Sequence, residues 1–409
     1  MVPRVNVVDE LYRALDSAPP HAVMPIVAAA LQETIAATDV TLLLADYAEV
    51  TLERFESDRP RTPSGGMSVP IETAPPGGCY RRQEVTVDAA DTGWSVCAPV
   101  TVRSERFGVL MLDVSEEPNA QVKAVTDQVA CALAYVLASA KRYTDVFERV
   151  RRRRNLALAA EMQWELLPVL GYAAAEFSLA GAVEPAYDVG GDNFDYAVDG
   201  NELTLSITDA MGHGLRAALV STLVVTAMRN CRRAGQGIVE QVGVANQVLG
   251  DQFGGEVFAT SLIMAFDLST GQGIAVNAGH PPSLLHRNNA IEPITLVPDL
   301  PLGLFAETSY RPQPMSLAPG DRLVLLTDGV VDAGATGPGA LGVTRLASLI
   351  EHHRALPAGE FVRRVTRSIL DHRKGELLDD ATLLCLDWWG PQGERHDLGS
   401  ANGIRSRGG

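Results

Sequence analysis

The chain is short of several features whose absence excludes classes of protein. It has five cysteines in 409 residues and no C-x-x-C pair, so neither a disulfide framework nor a cysteine-based zinc site is expected. It has no run of 18 apolar residues, so no transmembrane helix is predicted. Its first residues mix Asp, Glu and Arg with apolar residues, unlike a signal peptide. Reduced thiols and a cytoplasmic location are therefore expected.

Basic residues are also scarce relative to acidic ones. Lys and Arg total 34 against 50 Asp and Glu, which gives a formal net charge of -16. Such a surface repels phosphate backbones and anionic lipids. We therefore expect neither nucleic acid nor a membrane as a partner.

The C-terminal half does contain carboxylates at the edges of predicted strands or in glycine turns. The motifs are GGD, DAMGHG, TDG and DDAT, and their aspartates are Asp192, Asp209, Asp328, Asp379 and Asp380. Converging carboxylates repel one another unless cations lie between them. Hard oxygen ligands favour magnesium or manganese over zinc. The pattern predicts a metal-dependent enzyme.

Asp209 is the strongest candidate among them. It ends an apolar strand and precedes a glycine turn and a helix, so its carboxylate and the Ala210 carbonyl could hold one cation together. The alternative is a helix N-cap. Asp328 repeats the order of strand, Asp and Gly, and this repetition favours the metal.

The other polar residues of these motifs are weaker candidates. Asp379 and Asp380 could instead be turn formers at the start of a strand, and Asp195 is expected to brace a turn. His280, before two prolines, is expected to be structural, whereas His213 is a candidate second-layer partner or proton donor.

The chain is predicted to have an α+β organisation with five segments. They are an N-terminal helix (1–17), a mixed α/β domain (18–118), a connecting helix (119–168), a second mixed domain (169–390) and a disordered tail (391–409). Within the first domain, the stretch 57–78 is rich in Pro, Gly, Ser and Thr and is predicted to be a loop.

The connecting helix is predicted from a narrow apolar stripe. Val122, Val125, Val129 and Val136 recur at heptad-like steps, which favours a rod of the kind that joins two domains in a dimer. Pro168 would end it. The alternative is a helix that folds back on its own domain. The Arg151–Arg154 tract within it is predicted to be a solvated collar rather than a nucleic-acid contact.

In their order along residues 155–388, the C-terminal motifs resemble the SpoIIE and RsbU branch of the protein phosphatase 2C superfamily. The segments that carry the resemblance are AEMQWELLP, VGGDNFDY, DAMGHG, FATSLIMAFDLSTGQ, NAGHPPSLL, LLTDGVVDA and DDATLLCLD. The resemblance implies an αββα sandwich with two manganese or magnesium ions.

The resemblance also implies roles for individual residues. Asp209 would bridge the two ions with help from the Ala210 carbonyl, Asp192 would hold one ion, and Asp328 and Asp379 the other. Asp380 would support the site or act as a ligand. Asp209, Asp192 and Asp328 are the expected catalytic residues. The family usually has an aromatic residue where this chain has Asn193, which could alter the substrate groove.

The N-terminal half resembles a GAF domain in its helix 21–37, its strand pair WSVCAPV and RFGVLML, and its exit helix. The implied function is a serine/threonine protein phosphatase that acts on an anti-sigma-factor antagonist of the STAS type. Regulation would come from a dimeric GAF domain with a possible small-molecule ligand. The alternatives are a signalling scaffold with a weakly active phosphatase fold and a hydrolase of small nucleotide phosphates.

Overall fold

The computed structural model describes residues 7–56, 68–184, 186–187, 190–331, 342–372 and 380–393. The chain divides into two compact units, one ending at Asn155 and the other beginning at Leu156. Each unit has its own sheets and its own core.

The N-terminal unit is built on a six-stranded antiparallel sheet with strand order β3-β2-β1-β6-β5-β4. Its elements are α1 (Val7–Asp16), a 3-10 turn (Pro20–Ala22), α2 (Val23–Ile35), β1 (Asp39–Ala45), β2 (Thr51–Arg54), β3 (Ser68–Pro70), α3 (Pro75–Arg82), β4 (Thr86–Ala90), β5 (Gly93–Val102), β6 (Glu105–Val114), α4 (Ala120–Ala140) and α5 (Val146–Arg151).

Both faces of this sheet are buried. Leu42 and Leu44 of β1 join the core formed with α1, α2 and α4. Leu43 and Ala45, which point the other way, join a smaller core beneath α3. The two-residue period of a strand accounts for this split and for a continuous apolar run where an exposed sheet would alternate.

The prediction of one connecting helix over 119–168 is wrong. Helix α4 ends at Ala140, α5 covers only Val146–Arg151, and the next helix, α6 (Leu158–Leu166), belongs to the other unit. Val129 of the apolar stripe lies in the N-terminal core together with Leu133 and Leu137, so the helix folds back on its own domain. By length and composition α4 could cross a membrane, but these apolar residues serve that core.

The prediction of a solvated arginine collar fails at Arg151. Its Nε donates to the Ala45 carbonyl at 3.0 Å, and its guanidinium carbon lies 4.9 Å from the centre of the Tyr47 ring. Tyr47 Oη donates to Glu148 at 2.6 Å. Burial opposes the charge, but Glu148 and Tyr47 outweigh it and raise the pKa of Arg151. Arg151 therefore fastens α5 to β1.

The loop predicted over 57–78 is partly wrong. Residues 57–67 lie outside the described part of the chain, but strand β3 and the start of helix α3 fall within 68–78. Pro75 and Pro76 occupy the first positions of α3, where a missing amide hydrogen costs little. Most of the tail predicted to be disordered, residues 394–409, also lies outside the described residues.

The C-terminal unit contains two antiparallel sheets. Its elements are α6, β7 (Gly171–Ala173), β8 (Phe177–Glu184), β9 (Asn193–Asp199), β10 (Glu202–Ala210), α7 (Gly214–Arg233), α8 (Ile238–Phe253), β11 (Ala259–Asp267), β12 (Gln272–Ala278), β13 (Leu284–Arg287), β14 (Ala290–Pro293), β15 (Gln313–Ser316), β16 (Arg322–Leu326), α9 (Asp328–Val331), α10 (Gly342–His352), α11 (Ala358–His372) and β17 (Ala381–Trp388). The strand orders are β15-β12-β11-β10-β9 and β14-β13-β16-β17-β8-β7.

Three apolar layers hold these sheets and helices together. Leu205 of β10 and Leu384 of β17 meet in the core between the sheets. Helices α7 and α8 pack on the outer face of the first sheet, and α10 and α11 pack on the outer face of the second. This is the αββα arrangement that the resemblance implied.

The placement of α4 can be tested with two substitutions two residues apart. Leu133 is fully buried and Tyr135 is 45% exposed. We expect Leu133→Asp to lower the free energy of unfolding of the N-terminal unit by about 4 kcal/mol, because it buries a charge in an apolar core. Tyr135→Asp should cost less than about 1 kcal/mol. Urea denaturation measures both, and equal losses would contradict the placement.

Candidate metal centre

The GGD turn is held in place by Asp380. The amides of Gly190 and Gly191 both donate to Asp380 Oδ2 at 2.7 Å. A Cβ on Gly191 would lie 2.5 Å from the Ala210 carbonyl oxygen, so only glycine allows the turn to approach the end of β10 this closely. Asp380 therefore braces the site with at least one of its oxygens.

Asp192, which follows this turn, is tied to the end of β16. Its side chain is buried, and its Oδ2 accepts from Thr327 Oγ1 at 2.6 Å. Thr327 Oγ1 in turn accepts from the amide of Thr382 at 2.9 Å. One hydroxyl thus joins the GGD, TDG and DDAT segments.

Three of the predicted carboxylates are close enough to repel one another. Burial, then the charges of Asp209 and Asp380, raise the pKa of Asp192 well above its usual range. Asp209 lies half-buried near the end of β10, opposite Thr260 on β11. The structure therefore brings Asp192, Asp209 and Asp380 to one place.

The remaining predicted ligands are Asp328, the Ala210 carbonyl and Asp379. Asp328 is exposed and directly follows Thr327, at the start of α9. Ala210 is buried; its amide donates to the Gly191 carbonyl at 3.3 Å, and its own carbonyl oxygen lies against Gly191. Asp379 lies outside the described residues.

The chemistry of this cluster fits a divalent cation. Within the described parts of the chain, no three His, Cys, Asp or Glu side chains stand in the arrangement of a complete metal cluster. However, the mutual repulsion that raises the pKa of Asp192 would turn into attraction if a cation lay among the carboxylates. Carboxylate and main-chain carbonyl oxygens are the ligands that magnesium and manganese prefer.

His280 supports the end of β16. It is buried, its Nε2 lies 3.1 Å from the Leu326 carbonyl, and its Nδ1 lies 3.0 Å from Thr260 Oγ1. Because the carbonyl can only accept, Nε2 carries the proton and Nδ1 accepts from the hydroxyl. Burial lowers the pKa of His280 to about 4, so the ring is neutral at pH 7 and structural, as the sequence predicted. His213, by contrast, is exposed at the N-cap of α7, where its side chain forms no capping hydrogen bond.

Helix α6 contributes contacts that the sequence motifs did not reveal. Gln163 is buried, and its Nε2 donates to the main-chain carbonyl of Asp192. Trp164 Nε1 donates to the Ala186 carbonyl at 2.8 Å. The resemblance of AEMQWELLP to the family located this segment, but a side-chain bond to a main-chain carbonyl leaves no residue pattern that predicts it.

Asp195 does more than brace a turn. Arg229 of α7 donates to Asp195 Oδ1 at 2.8 Å and to the Leu166 carbonyl at 2.7 Å, at the end of α6. Arg232 donates to Asp195 Oδ2 at 3.1 Å. These bonds join β9, α6 and α7 in one network.

Asn193 begins β9, directly after Asp192. Its side chain is fully buried, and neither of its amide atoms has a hydrogen-bond partner among the described residues. An effect of this residue on the substrate groove stays a prediction.

Comparison with known proteins decides the family of this unit. Residues 199–389 match the family model described as stage II sporulation protein E (SpoIIE). The C-terminal region is a SpoIIE-family phosphatase domain. The match confirms, for residues 199–389, the resemblance to the SpoIIE and RsbU branch that the ordered motifs indicated.

Two curated relatives come from Bacillus subtilis (strain 168). The phosphoserine phosphatase RsbU is 26% identical over 57% of this chain and 70% of its own length. The phosphoserine phosphatase RsbP is 23% identical over 55% of this chain and 55% of its own length. This chain thus spans about half of RsbP.

Among solved structures, the RsbU and RsbW domains of Rv1364c from Mycobacterium tuberculosis are similar. They are 26% identical, with a TM-score of 0.46, over 54% of this chain and 63% of that one.

Neutralising Asp192 tests whether the carboxylates of the metal-free site repel one another. We expect Asp192→Asn to raise the free energy of unfolding of the metal-free protein at pH 7 by about 1 to 2 kcal/mol, because it removes a buried, repelled charge. Manganese should stabilise the wild type against heat by mass action and stabilise the variant less. Asp251→Asn, at an exposed position of α8, is the control. A metal-free variant less stable than wild type would contradict the repulsion.

His280 should contribute to the acid sensitivity of the C-terminal unit. Its folded pKa is lowered to about 4, so the unfolded chain binds a proton first as the pH falls below the ordinary histidine value. Stability is then lost between about pH 6.5 and 4, and roughly 2 kcal/mol of this loss should fall between pH 7 and 5.

We expect the free energy of unfolding of His280→Gln, measured by urea denaturation, to fall by roughly 2 kcal/mol less than that of the wild type between pH 7 and pH 5. This holds whatever the stability of the variant at pH 7. His213→Gln, at an exposed position of the same unit, is the control. An unchanged difference between pH 7 and pH 5 in His280→Gln would contradict a neutral buried ring.

Proposed function

We propose that the chain hydrolyses phosphoserine or phosphothreonine on an anti-sigma-factor antagonist of the STAS type. The observation that carries the hydrolytic part is the convergence of Asp192, Asp209 and Asp380 near the start of α7. The names of the relatives RsbU and RsbP as phosphoserine phosphatases support a phosphorylated hydroxyl as the bond that is cleaved.

Manganese or magnesium, as two ions, is the proposed cofactor. Asp192, Asp209, Asp328 and the Ala210 carbonyl are the proposed ligands, together with Asp379. Asp380 is proposed to support the site or to act as a further ligand, and one of its oxygens already holds the GGD turn. Bound ions of this kind activate water as a nucleophile and offset charge on the phosphoryl oxygens.

The chain's own residues place these ligands and limit their movement. Thr327 fixes one oxygen of Asp192. Gln163 fixes the main chain of Asp192. Both contacts reduce the number of positions that the carboxylate can adopt, and preorganised charge is the main way in which such sites stabilise a transition state.

We expect manganese-dependent hydrolysis of an aryl phosphate by the purified chain. Asp209→Ala should lower kcat/KM by about a hundredfold or more, because a metal ligand would contribute several kcal/mol of transition-state stabilisation. Asp251→Ala, at an exposed position of α8, is the matched control. Absence of turnover by the wild type with either metal would favour the scaffold alternative.

The substrate is identified by comparing phosphorylated proteins with small phosphates. Phosphorylated STAS proteins from the same genome, a phosphoserine peptide and nucleotides should be assayed side by side. A kcat/KM for nucleotides above that for the proteins would support the small-molecule alternative instead.

Regulation by the N-terminal unit is proposed to act through α6. The six-stranded sheet with its covering helices supports a GAF-like unit, and α6 begins two residues after the second unit starts. A change in the position of α6 would move Gln163 and hence the main chain of Asp192. The homodimer stays a prediction, and the rod that suggested it is absent.

Trp164 offers a test of this coupling. We expect Trp164→Asp to lower aryl-phosphate turnover several-fold, because it removes the bond to Ala186 and places a charge at a half-buried position. Glu165→Gln, at an exposed position of the same helix, should keep wild-type activity. Wild-type activity in Trp164→Asp would rule out a role for α6.

A further inference from the structure

Three apolar side chains are exposed in the turn before α7 and in the first turns of that helix. Met211, Leu215 and Leu219 are 49%, 45% and 47% exposed. They recur at four-residue steps, so the two leucines share one face of the helix. Met211 follows Asp209 by two residues.

This surface also differs in charge from the rest of the chain. Residues 210–239 contain no Asp or Glu, in a chain whose net charge is -16. Arg229 and Arg232 are engaged with Asp195. Arg216 is exposed on the same side as the two leucines, and no ion pair or hydrogen bond of its guanidinium is seen within the described ranges.

We propose that Met211, Leu215, Arg216 and Leu219, the α7 face, form the docking surface for a folded phosphoprotein. The inference rests on the proposed phosphatase function and deepens it. A phosphoserine side chain is short, so a protein that places its phosphate at Asp192 and Asp209 must lay its own surface over the residues that follow Asp209.

The chemistry of the α7 face fits that occupant better than a flexible charged peptide. Exposed leucine and methionine side chains gain free energy by covering apolar surface on a partner. Arg216 is suited to the phosphate or to acidic groups around it, because guanidinium pairs well with such oxygens. A helix without acidic residues of its own repels a phosphorylated protein less than the acidic chain as a whole does.

Binding is measured first without catalysis. The probe is a STAS-domain protein of the same genome, phosphorylated on serine, in EDTA so that turnover is absent. We expect Leu215→Gln/Leu219→Gln to weaken the affinity about tenfold, as for truncated side chains at the centre of an interface. Val198→Thr/Ile274→Thr, at 38% and 40% exposed positions of β9 and β12, should bind like wild type.

Arg216→Gln tests the charge separately. We expect it to reduce the preference for the phosphorylated over the unphosphorylated probe several-fold, up to about tenfold. The affinity should also depend less on salt concentration. An unchanged preference would overturn the role of Arg216.

Turnover then separates docking from chemistry. With manganese, kcat/KM of the double leucine variant should fall about tenfold on the folded phosphoprotein, because KM rises while kcat stays the same. It should stay within about twofold on a phosphoserine peptide of the same local sequence and on an aryl phosphate.

Three outcomes overturn the proposal. They are no binding of the probe by the wild type, an affinity unaffected by the leucine changes, and an equal loss on all three substrates. A changed oligomeric state with unchanged affinity would assign the α7 face to contact between copies of the chain instead. Failure of the phosphatase function would appear differently, as probe binding without any turnover.

Discussion

The repulsion among buried carboxylates is the constraint on which the catalytic unit depends. Burial and the charges of Asp209 and Asp380 penalise ionised Asp192, so the metal-free site costs folding free energy that the rest of the unit must offset. The three apolar layers of the αββα sandwich supply that stability, and the bonds from Thr327 and the GGD amides hold the acids in place. The fold therefore holds the carboxylates ready for cations. In the metal-free protein this arrangement lowers the stability of the unit.

The same geometry links the site to its surroundings through main-chain atoms. Asp380 holds the amides of the GGD turn, Gln163 holds the carbonyl of Asp192, and His280 holds the carbonyl of Leu326. None of these three side chains needs to touch a substrate in order to matter. A shift in α6 or in β16 would reach the carboxylates through the backbone, which is stiffer than a side chain.

Much of the C-terminal unit could be predicted from sequence because its motifs join strand ends to glycine turns. The apolar strand predicted to end at Asp209 is β10, which ends at Ala210, and the strand predicted after Asp380 is β17, which begins at Ala381. The connecting helix could not be placed, because an apolar stripe such as Val129, Leu133 and Leu137 looks the same whether a partner helix or the helix's own sheet covers it. Thr327 and Gln163 could not be assigned either, since their partners are distant in sequence.

The position of β17 has a consequence for how the protein is made. This strand lies between β16 and β8 inside its sheet. It follows Asp380, which accepts from the amides of Gly190 and Gly191, and these residues lie 190 and 189 positions earlier in the chain. All residues from 190 to 380 must therefore be synthesised before the GGD turn can be fixed, and contacts so distant along the chain form slowly. Nascent or prematurely terminated chains would lack a working centre, which keeps incomplete copies from acting on phosphoproteins in the cell.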